Sequence, residues 1–193
     1  MNKHRDERGE NLRHKVTEDI RRYTGADCRP WRTVFLQRFA QAIYEHPALL
    51  AILIYRYGQW ADYRCKVPLL RQLCNGYYAS LFWWARIHLQ VEVPRSTQIG
   101  PGLYIAHFGG VIINCQAVIG SGLSIGYGVV IGQTDSGVPV IGDNVEMGVG
   151  AKVIGGIRVG NNVRIGAQSV VNKDIPDGAV AVGVPARIIQ VDK

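Results

Sequence analysis

The hydrophobic pattern divides the chain into two parts with different periods. Before residue 90, apolar residues lie three or four positions apart, as Val16 and Ile20 do in KVTEDIRRYTG. This spacing is typical of amphipathic helices, and Gly25 marks a C-terminal stop. Three further stretches have the same character: RPWRTVFLQRFAQAIYE, which ends before His46 and Pro47, ALLAILIYRYGQWADYR, and PLLRQLCNGYYASLFWWARIHLQ. The pattern therefore predicts an N-terminal helical domain over residues 1–90.

From Val91 onward, an apolar residue recurs every six positions within three runs. The positions are Ile99, Ile105 and Val111, then Ile113, Ile119, Ile125 and Ile131, then Ile141, Met147, Val153, Val159, Ile165 and Val171. A period of six fits neither an α-helix nor an alternating strand. It indicates hexapeptide repeats that coil into a triangular β-helix, with apolar residues inside and Gly, Asn or Asp at the corners. We therefore predict an α+β fold in which residues 91–193 form a β-helix domain with a C-terminal tail.

The six-residue register slips at two places. Between Ile105 and Ile119 it requires a two-residue insertion near residues 107–110, and between Ile131 and Ile141 the spacing is ten. The second slip predicts a short loop excluded from the coil. In repeat proteins, insertions of this kind tend to lie on the functional face.

Charge and cysteine content narrow the possible functions. The 193 residues carry a formal charge of +7, and the basic residues crowd the N-terminal half. We interpret them as solvated helix faces, because no nucleic-acid-binding module accompanies them. Attraction to anionic substrates or membrane surfaces stays open. The four cysteines form no CxxC pair, which predicts reduced packing residues in a cytoplasmic protein.

The coil, its histidine-bearing slip, the excluded loop and the closing GVPARII (183–189) together resemble the left-handed β-helix acyltransferases. Among these, the chain is similar to serine O-acetyltransferases and the related acetyltransferases of exopolysaccharide and capsule biosynthesis. The resemblance covers about residues 48–190. It implies acetyl-CoA as the acyl donor, a homotrimer through the coils, and active sites between neighbouring coils.

The resemblance also implies a catalytic dyad. His107 matches the family's general base, and Glu92, fifteen positions earlier in VEVPR, matches the acidic residue that orients it. Neutral imidazole removes the proton of a hydroxyl during attack on a thioester, a contribution of roughly 10²–10⁴ in rate. The alternative is a histidine that fills a corner and bonds a backbone carbonyl.

The donor is expected to lie along the groove between two coils. The resemblance implies pantetheine contacts at Gly132, Gly150, Ala151 and Ala167, with Lys173 and Arg187 as candidates for the phosphates of CoA. The alternative, compatible with the first, is that the glycines and alanines only turn the corners of the coil.

Three residues that help to hold the substrate of serine acetyltransferases are absent from the expected acceptor site. The aspartate before the family's histidine is Ala106 here, and the family's Arg-His-Pro loop aligns with Gly137, Val138 and Pro139. Ala106, Gly109 and Val138 are thus predicted to line a wide, weakly charged pocket. Because a zwitterion needs specific charged partners, we expect a sugar hydroxyl of a polysaccharide or its lipid-linked precursor as acceptor, with L-serine as the alternative.

The sequence allows three further interpretations of the coil and the helical segment. A metal-dependent carbonic anhydrase shares this coil but needs three imidazole ligands, and the coil has one histidine, so no metal is expected. A non-catalytic trimeric scaffold is also open. Packing between helices and coil is the interpretation that we favour for two stretches, the aromatic GYYASLFWWARIHLQ and the basic and apolar YRCKVPLLRQ. The alternative is contact with the inner face of the membrane.

Overall fold

The N-terminal part is helical, as the pattern predicts. The computed structural model describes residues 12–25, 33–63 and 65–191. Its helices are α1 (Leu12–Thr24), α2 (Thr33–Glu45), α3 (Ala48–Tyr63) and α4 (Pro68–Trp84), and α4 continues into a π-helical turn, Ala85–Leu89. Gly25, at φ 61°, closes α1 and donates its N–H to the carbonyl of Arg21 at 2.9 Å. This arrangement confirms the predicted stop.

The remaining chain forms a parallel β-helix of about five turns with three faces. Face A stacks β1 (Val91–Glu92), β4 (Val111–Ile113), β7 (Val130–Gly132), β10 (Lys152–Ile154) and β13 (Val170–Val171). Face B stacks β2 (Gln98–Ile99), β5 (Val118–Ile119), β8 (Val140–Ile141) and β11 (Arg158–Val159). Face C stacks β3 (Tyr104–Ile105), β6 (Ser124–Ile125), β9 (Glu146–Met147), β12 (Arg164–Ile165) and β14 (Ala179–Gly183), and β15 (Ala186–Val191) closes it antiparallel.

Strand registers confirm both predicted slips. Val91 pairs with Val111, a spacing of 20 residues, whereas Ile112 pairs with Val130, a spacing of 18. The turn from Val130 to its partner Lys152 takes 22 residues. The first slip therefore adds two residues at the corner between β3 and β4, and the second adds four between β7 and β8.

The interior of the coil contains two sets of apolar side chains. All thirteen residues of the six-residue pattern are buried. A second set lies two positions before members of the first, and each is 0% exposed: Leu103, Ala117, Leu123, Val129, Val145, Ala151 and Val163. Sequence analysis missed this second set, although residues two apart on a short strand share a face.

The helices cap the open first turn of the β-helix. β3 is the edge strand of face C, and the Tyr23 hydroxyl of α1 donates to the carbonyl of Ile105 at 2.9 Å and accepts its N–H at 2.8 Å. The Tyr55 hydroxyl of α3 donates to the carbonyl of Thr97 at 2.8 Å. Burial raises the pKa of both Tyr23 and Tyr55 above the ordinary range, so each hydroxyl keeps its proton and remains a donor.

A buried ion pair joins α1, α3 and the coil. Arg56 Nε lies 2.7 Å from Asp19 Oδ2, and the two side chains are 1% and 0% exposed. Arg56 also donates to the carbonyls of Ile99 at 3.0 Å and Gly100 at 2.7 Å, and Asp19 accepts the N–H of Leu103 at 2.8 Å. These backbone N–H and C=O groups at the first edges of faces B and C thus bond to side chains instead of to a further strand.

One hydrophobic core crosses the predicted boundary at residues 90 and 91. Ile52 and Tyr55 of α3 belong to the same buried cluster as Ile99 and Leu103 of the first turn. The helical segment and the β-helix are distinct in secondary structure but continuous in packing, and their division into two domains stays a prediction.

Packing accounts for only one side of α4, where Leu81 and Phe82 lie against the core. Tyr78 is the buried residue of this helix, while Leu69, Leu73 and Trp83 are 70%, 66% and 63% exposed. The interpretation of this stretch as core is therefore wrong for its outer face. No helix within the described ranges is long and apolar enough to span a bilayer.

Candidate active site

The histidine lies on an enlarged corner where face C passes to face A. Residues 106–110 join β3 to β4, and the two inserted residues make this corner longer than those stacked above it. Gly109 and Gly110 adopt φ of 117° and 65°, which favour glycine. The carbonyl of Gly109 accepts the N–H of Gly128 at 2.8 Å, which fixes the corner to the next turn. The side chains of His107 and Phe108 are exposed to solvent.

Corners of the later turns form a column above the histidine corner. Gly150 donates its N–H to the carbonyl of Tyr127 at 2.9 Å, and the backbone N–H of Gln168 donates to the carbonyl of Val149 at 2.8 Å. Three of the predicted donor contacts lie on this column: Gly150, Ala151 and Ala167. The side chain of Ala151 is buried inside the coil, so only its backbone is accessible to a ligand.

Glu92 is paired with an arginine that sequence analysis did not single out. Its Oε2 lies 3.1 Å from Nε of Arg86, in the π-helical turn, and the side chains are 36% and 50% exposed. Among the described residues, no hydrogen bond joins Glu92 to His107, and the dyad stays a prediction. The only sequence signal for Arg86 is a basic residue near the end of a helix, which is too common to identify a site.

A cleft of ≈ 420 Å³ connects this ion pair with the histidine corner. It is lined by Trp83, Arg86, Ile87, Gln90, Glu92, Gly110, Val111 and Ile112. Gly110 belongs to the enlarged corner, three residues after His107. The cleft therefore presents a cation and a carboxylate beside the corner that carries the predicted general base.

A second cleft, of ≈ 490 Å³, runs along face C beside α1. Ala106 and Ala167 border it, together with Arg22 of α1 and Glu146 and Arg164 of the coil. Ala106 and Gly110, at the two ends of the histidine corner, thus border different clefts. The structure brings this predicted acceptor contact and the predicted donor contact Ala167 to one groove.

The other predicted residues lie elsewhere on the coil. Gly132 ends β7, and the half-buried Val138 lies in the excluded loop that follows, where face A passes to face B. The exposed Lys173 follows β13 at the same edge. Arg187 is exposed on β15. Within one chain these residues occupy a different edge or strand from His107, so a single copy does not gather the complete predicted site.

Metal ligands and cysteine thiols add no further site in the part of the chain that the structure describes. No three His, Cys, Asp or Glu side chains lie together there in a group that could hold a metal ion. Cys65 is a buried free thiol, Cys74 is half-buried and Cys115 is exposed. Cys28 lies outside the described residues, and the packing role predicted for the cysteines fits Cys65 alone.

Comparisons with known proteins relate the chain to enzymes of one kind. No family model matches the chain. The serine acetyltransferase of Helicobacter pylori strain J99 is 36% identical over 152 residues, which cover 77% of this chain and 84% of that enzyme. The serine acetyltransferase of Synechococcus elongatus is 36% identical over 148 residues, but the chain spans only 57% of its length.

Solved structures extend the similarity over nearly the whole chain. Serine acetyltransferase from Brucella abortus strain S19 has a TM-score of 0.75 and 29% identity, covering 98% of this chain and 73% of that one. The structure of the same enzyme in complex with coenzyme A has a TM-score of 0.74 and 28% identity, covering 98% of this chain and 72% of that one. A serine acetyltransferase in complex with cysteine has a TM-score of 0.73 and 26% identity, covering 97% of this chain and 73% of that one.

The helical cap, the five-turn coil and its histidine corner define a left-handed β-helix acyltransferase. Within that class, the chain belongs to the serine acetyltransferase family.

These relatives overturn the expectation of a polysaccharide acceptor, because they are serine acetyltransferases. The expectation relied on three missing substrate-binding side chains, at Ala106, Gly137 and Val138. It did not include Arg86, which returns a cation to the neighbourhood of the site from the helical segment.

Proposed function

We propose that the protein transfers the acetyl group of acetyl-CoA to the hydroxyl of L-serine. One observation carries this proposal: in a chain of the serine acetyltransferase family, the cleft beside the histidine corner contains both Arg86 and Glu92. A cleft with one charge of each sign suits an α-amino acid, which carries both.

His107 acts as the general base in this proposal. Bound acetyl-CoA supplies the acetyl group as a thioester. The imidazole takes the proton of the serine hydroxyl while the hydroxyl oxygen bonds to the carbonyl carbon. It then returns that proton to the sulfur as the carbon–sulfur bond breaks, so that O-acetylserine and CoA leave. Backbone N–H groups of Gly109 and Gly110 stabilise the negative charge on the carbonyl oxygen.

Glu92 orients the imidazole. Its Oε2 pairs with Arg86, and its other oxygen is available to accept the second N–H of His107. This contact fixes the tautomer and stabilises the imidazolium that forms during transfer.

The donor follows the corner column above His107. Gly150 and the exposed Ala167 contact the pantetheine arm, and Ala151 contributes its backbone. Gly132 lies at the end of β7, and Lys173 and Arg187 bind the phosphates. Solved structures of similar serine acetyltransferases in complex with CoA support a donor site in this fold.

A homotrimer through the coils completes the site. The separation of Val138 and Lys173 from His107 within one chain supports a site shared between copies. Apolar side chains on the outer surface of the coil also support it, since Ile112, Val118 and Val140 are 46%, 40% and 45% exposed.

A cytoplasmic location belongs to the same proposal. Contact with the inner face of the membrane stays a prediction. Exposed Leu69 and Leu73 of α4 lie near Lys66 and Arg71 in sequence, a combination that suits an anionic lipid surface. Co-sedimentation with anionic vesicles at low salt tests it, and an unbound protein would contradict it.

A direct assay of the acceptor tests the main proposal. We expect the protein to release CoA from acetyl-CoA when L-serine is added, with O-acetylserine identified by mass spectrometry. The control is the same mixture without serine, which measures thioester hydrolysis alone. Efficiency on the order of 10⁴ M⁻¹s⁻¹ in kcat/KM is typical of metabolic enzymes. Release that does not depend on serine would contradict the proposal.

A further inference from the structure

The guanidinium of Arg86 is held in place on one side and open on the other. Its Nε pairs with Glu92 at 3.1 Å, and its central carbon lies 5.8 Å from the ring centroid of Phe82. Among the described residues, none accepts a hydrogen bond from Nη1 or Nη2. This outer edge has the two parallel donors that bind a carboxylate in bidentate fashion.

The backbone around Arg86 is also unusual. Arg86 lies in the π-helical turn Ala85–Leu89, and Gln90 follows it with φ 51°, in the left-handed region. π-helical turns and non-glycine residues in this region both concentrate at functional sites. The turn leads directly into β1, so it fixes Arg86 relative to Glu92 across only six positions of the chain.

The chemistry of the cleft favours a carboxylate that is accompanied by a positive charge. Ala106 and Val138 offer no charge to the acceptor, and a carboxylate that leaves water needs a partner. The neighbouring Glu92 would repel a phosphate or an isolated anion, but it attracts the ammonium of an α-amino acid. Trp83 and Ile112 add apolar side chains to the lining of the cleft.

We infer that Arg86 binds the α-carboxylate of the acceptor and thereby determines the specificity of the enzyme for an amino acid. This inference rests on the proposed function, because it assigns a residue to the serine site. The anchor comes from the helical segment, in place of the charged residues that the coil lacks.

Comparison of L-serine with L-serinamide as acceptors tests the inference. The two share the hydroxyl and the amine, but serinamide lacks the carboxylate. We expect the wild-type protein to prefer serine. In Arg86→Ala, kcat/KM for serine should fall about 10- to 100-fold, mostly through a higher KM, because a charge-assisted bidentate pair is lost. The kcat/KM for serinamide should change little, because serinamide has no carboxylate to form that pair. Arg86→Lys should retain part of the preference.

A matched variant on the same helix controls for the loss of a surface arginine. Arg71 pairs with Asp62 at 2.7 Å, with side-chain exposures of 43% and 29%, similar to those of the Arg86 pair. Arg71→Ala should leave the ratio of serine to serinamide turnover unchanged. The KM for acetyl-CoA and the circular dichroism spectrum should be unchanged in both alanine variants, which excludes misfolding.

The outcomes separate the inference from the proposed function. If the wild-type protein acetylates serine but Arg86→Ala keeps the full preference over serinamide, Arg86 is not the anchor and the serine acetyltransferase activity stands. If the wild-type protein does not acetylate serine, the proposed function fails and the inference fails with it.

Discussion

The Glu92 carboxylate lies between two positively charged groups during the proposed reaction. Arg86 pairs with one of its oxygens at 3.1 Å, and the imidazolium of His107 forms on its other side when the serine proton is removed. A carboxylate accepts hydrogen bonds on both oxygens, so it can serve both partners at once. This single residue then connects acceptor binding by Arg86 with proton transfer by His107.

His107→Ala tests the general base. We expect kcat to fall by about 10²–10⁴, because the serine hydroxyl loses its proton acceptor. CoA binding, measured by titration calorimetry, should be unchanged, since the imidazole acts on the acceptor proton. Glu92→Gln should cause a smaller but clear loss. Near-wild-type turnover by His107→Ala would show that another group removes the proton.

At the level of elements, a buried ion pair contributes several of the hydrogen bonds between helices and coil. Asp19 of α1 and Arg56 of α3 bond to each other and to three backbone groups of the first turn. These groups would otherwise be edge N–H and C=O groups without a partner. The helices therefore form an integral part of the β-helix, because they supply its terminal hydrogen bonds.

Asp19→Asn should destabilise the protein by about 3–5 kcal/mol, because it leaves the Arg56 guanidinium buried without a counter-charge. The free energy of unfolding in urea measures the effect. The exposed pair Glu18 and Arg21, 3.8 Å apart, provides the control. Glu18→Gln should change the stability by less than about 1 kcal/mol. Equal effects of the two variants would mean that burial does not determine the strength of the Asp19 pair.

Elements of the coil could be predicted from the sequence, whereas contacts between elements could not. The period of six assigned Ile141, Met147 and Val153 to the interior correctly, because every turn of a β-helix repeats the same three faces. The pairing of Asp19 with Arg56 has no such period, since it depends on how two helices cross the first turn. The position of Arg86 has no such period either, and without Arg86 the uncharged residues of the coil predict the wrong acceptor.

For the whole molecule, the distribution of site residues over two edges of the coil has a consequence for assembly. His107 lies where face C passes to face A, and Val138 lies where face A passes to face B. A closed ring of three copies brings different edges of neighbouring coils together, as a heterologous interface requires.

We expect sedimentation equilibrium to give three times the mass of the 21.3 kDa chain. Val140→Glu, on the exposed outer surface of face B, should weaken this assembly, because it places a charge in an apolar interface. Activity should fall with the fraction of trimer as the protein is diluted. A stable monomer with full activity would contradict the shared site.

The helical cap also prevents the β-helix from being extended at its first turn. A parallel coil ends in unpaired strand edges, and such edges recruit strands from other molecules into open-ended fibres. In this chain, α1 and α3 occupy the first edge with side chains that cannot continue a ladder, and β15 closes face C at the other end by running antiparallel. A structure built by repetition is thereby made finite. The helical segment that carries Arg86 to the cleft, after α4, also supplies through α1 and α3 the side chains that protect the coil from end-to-end polymerisation.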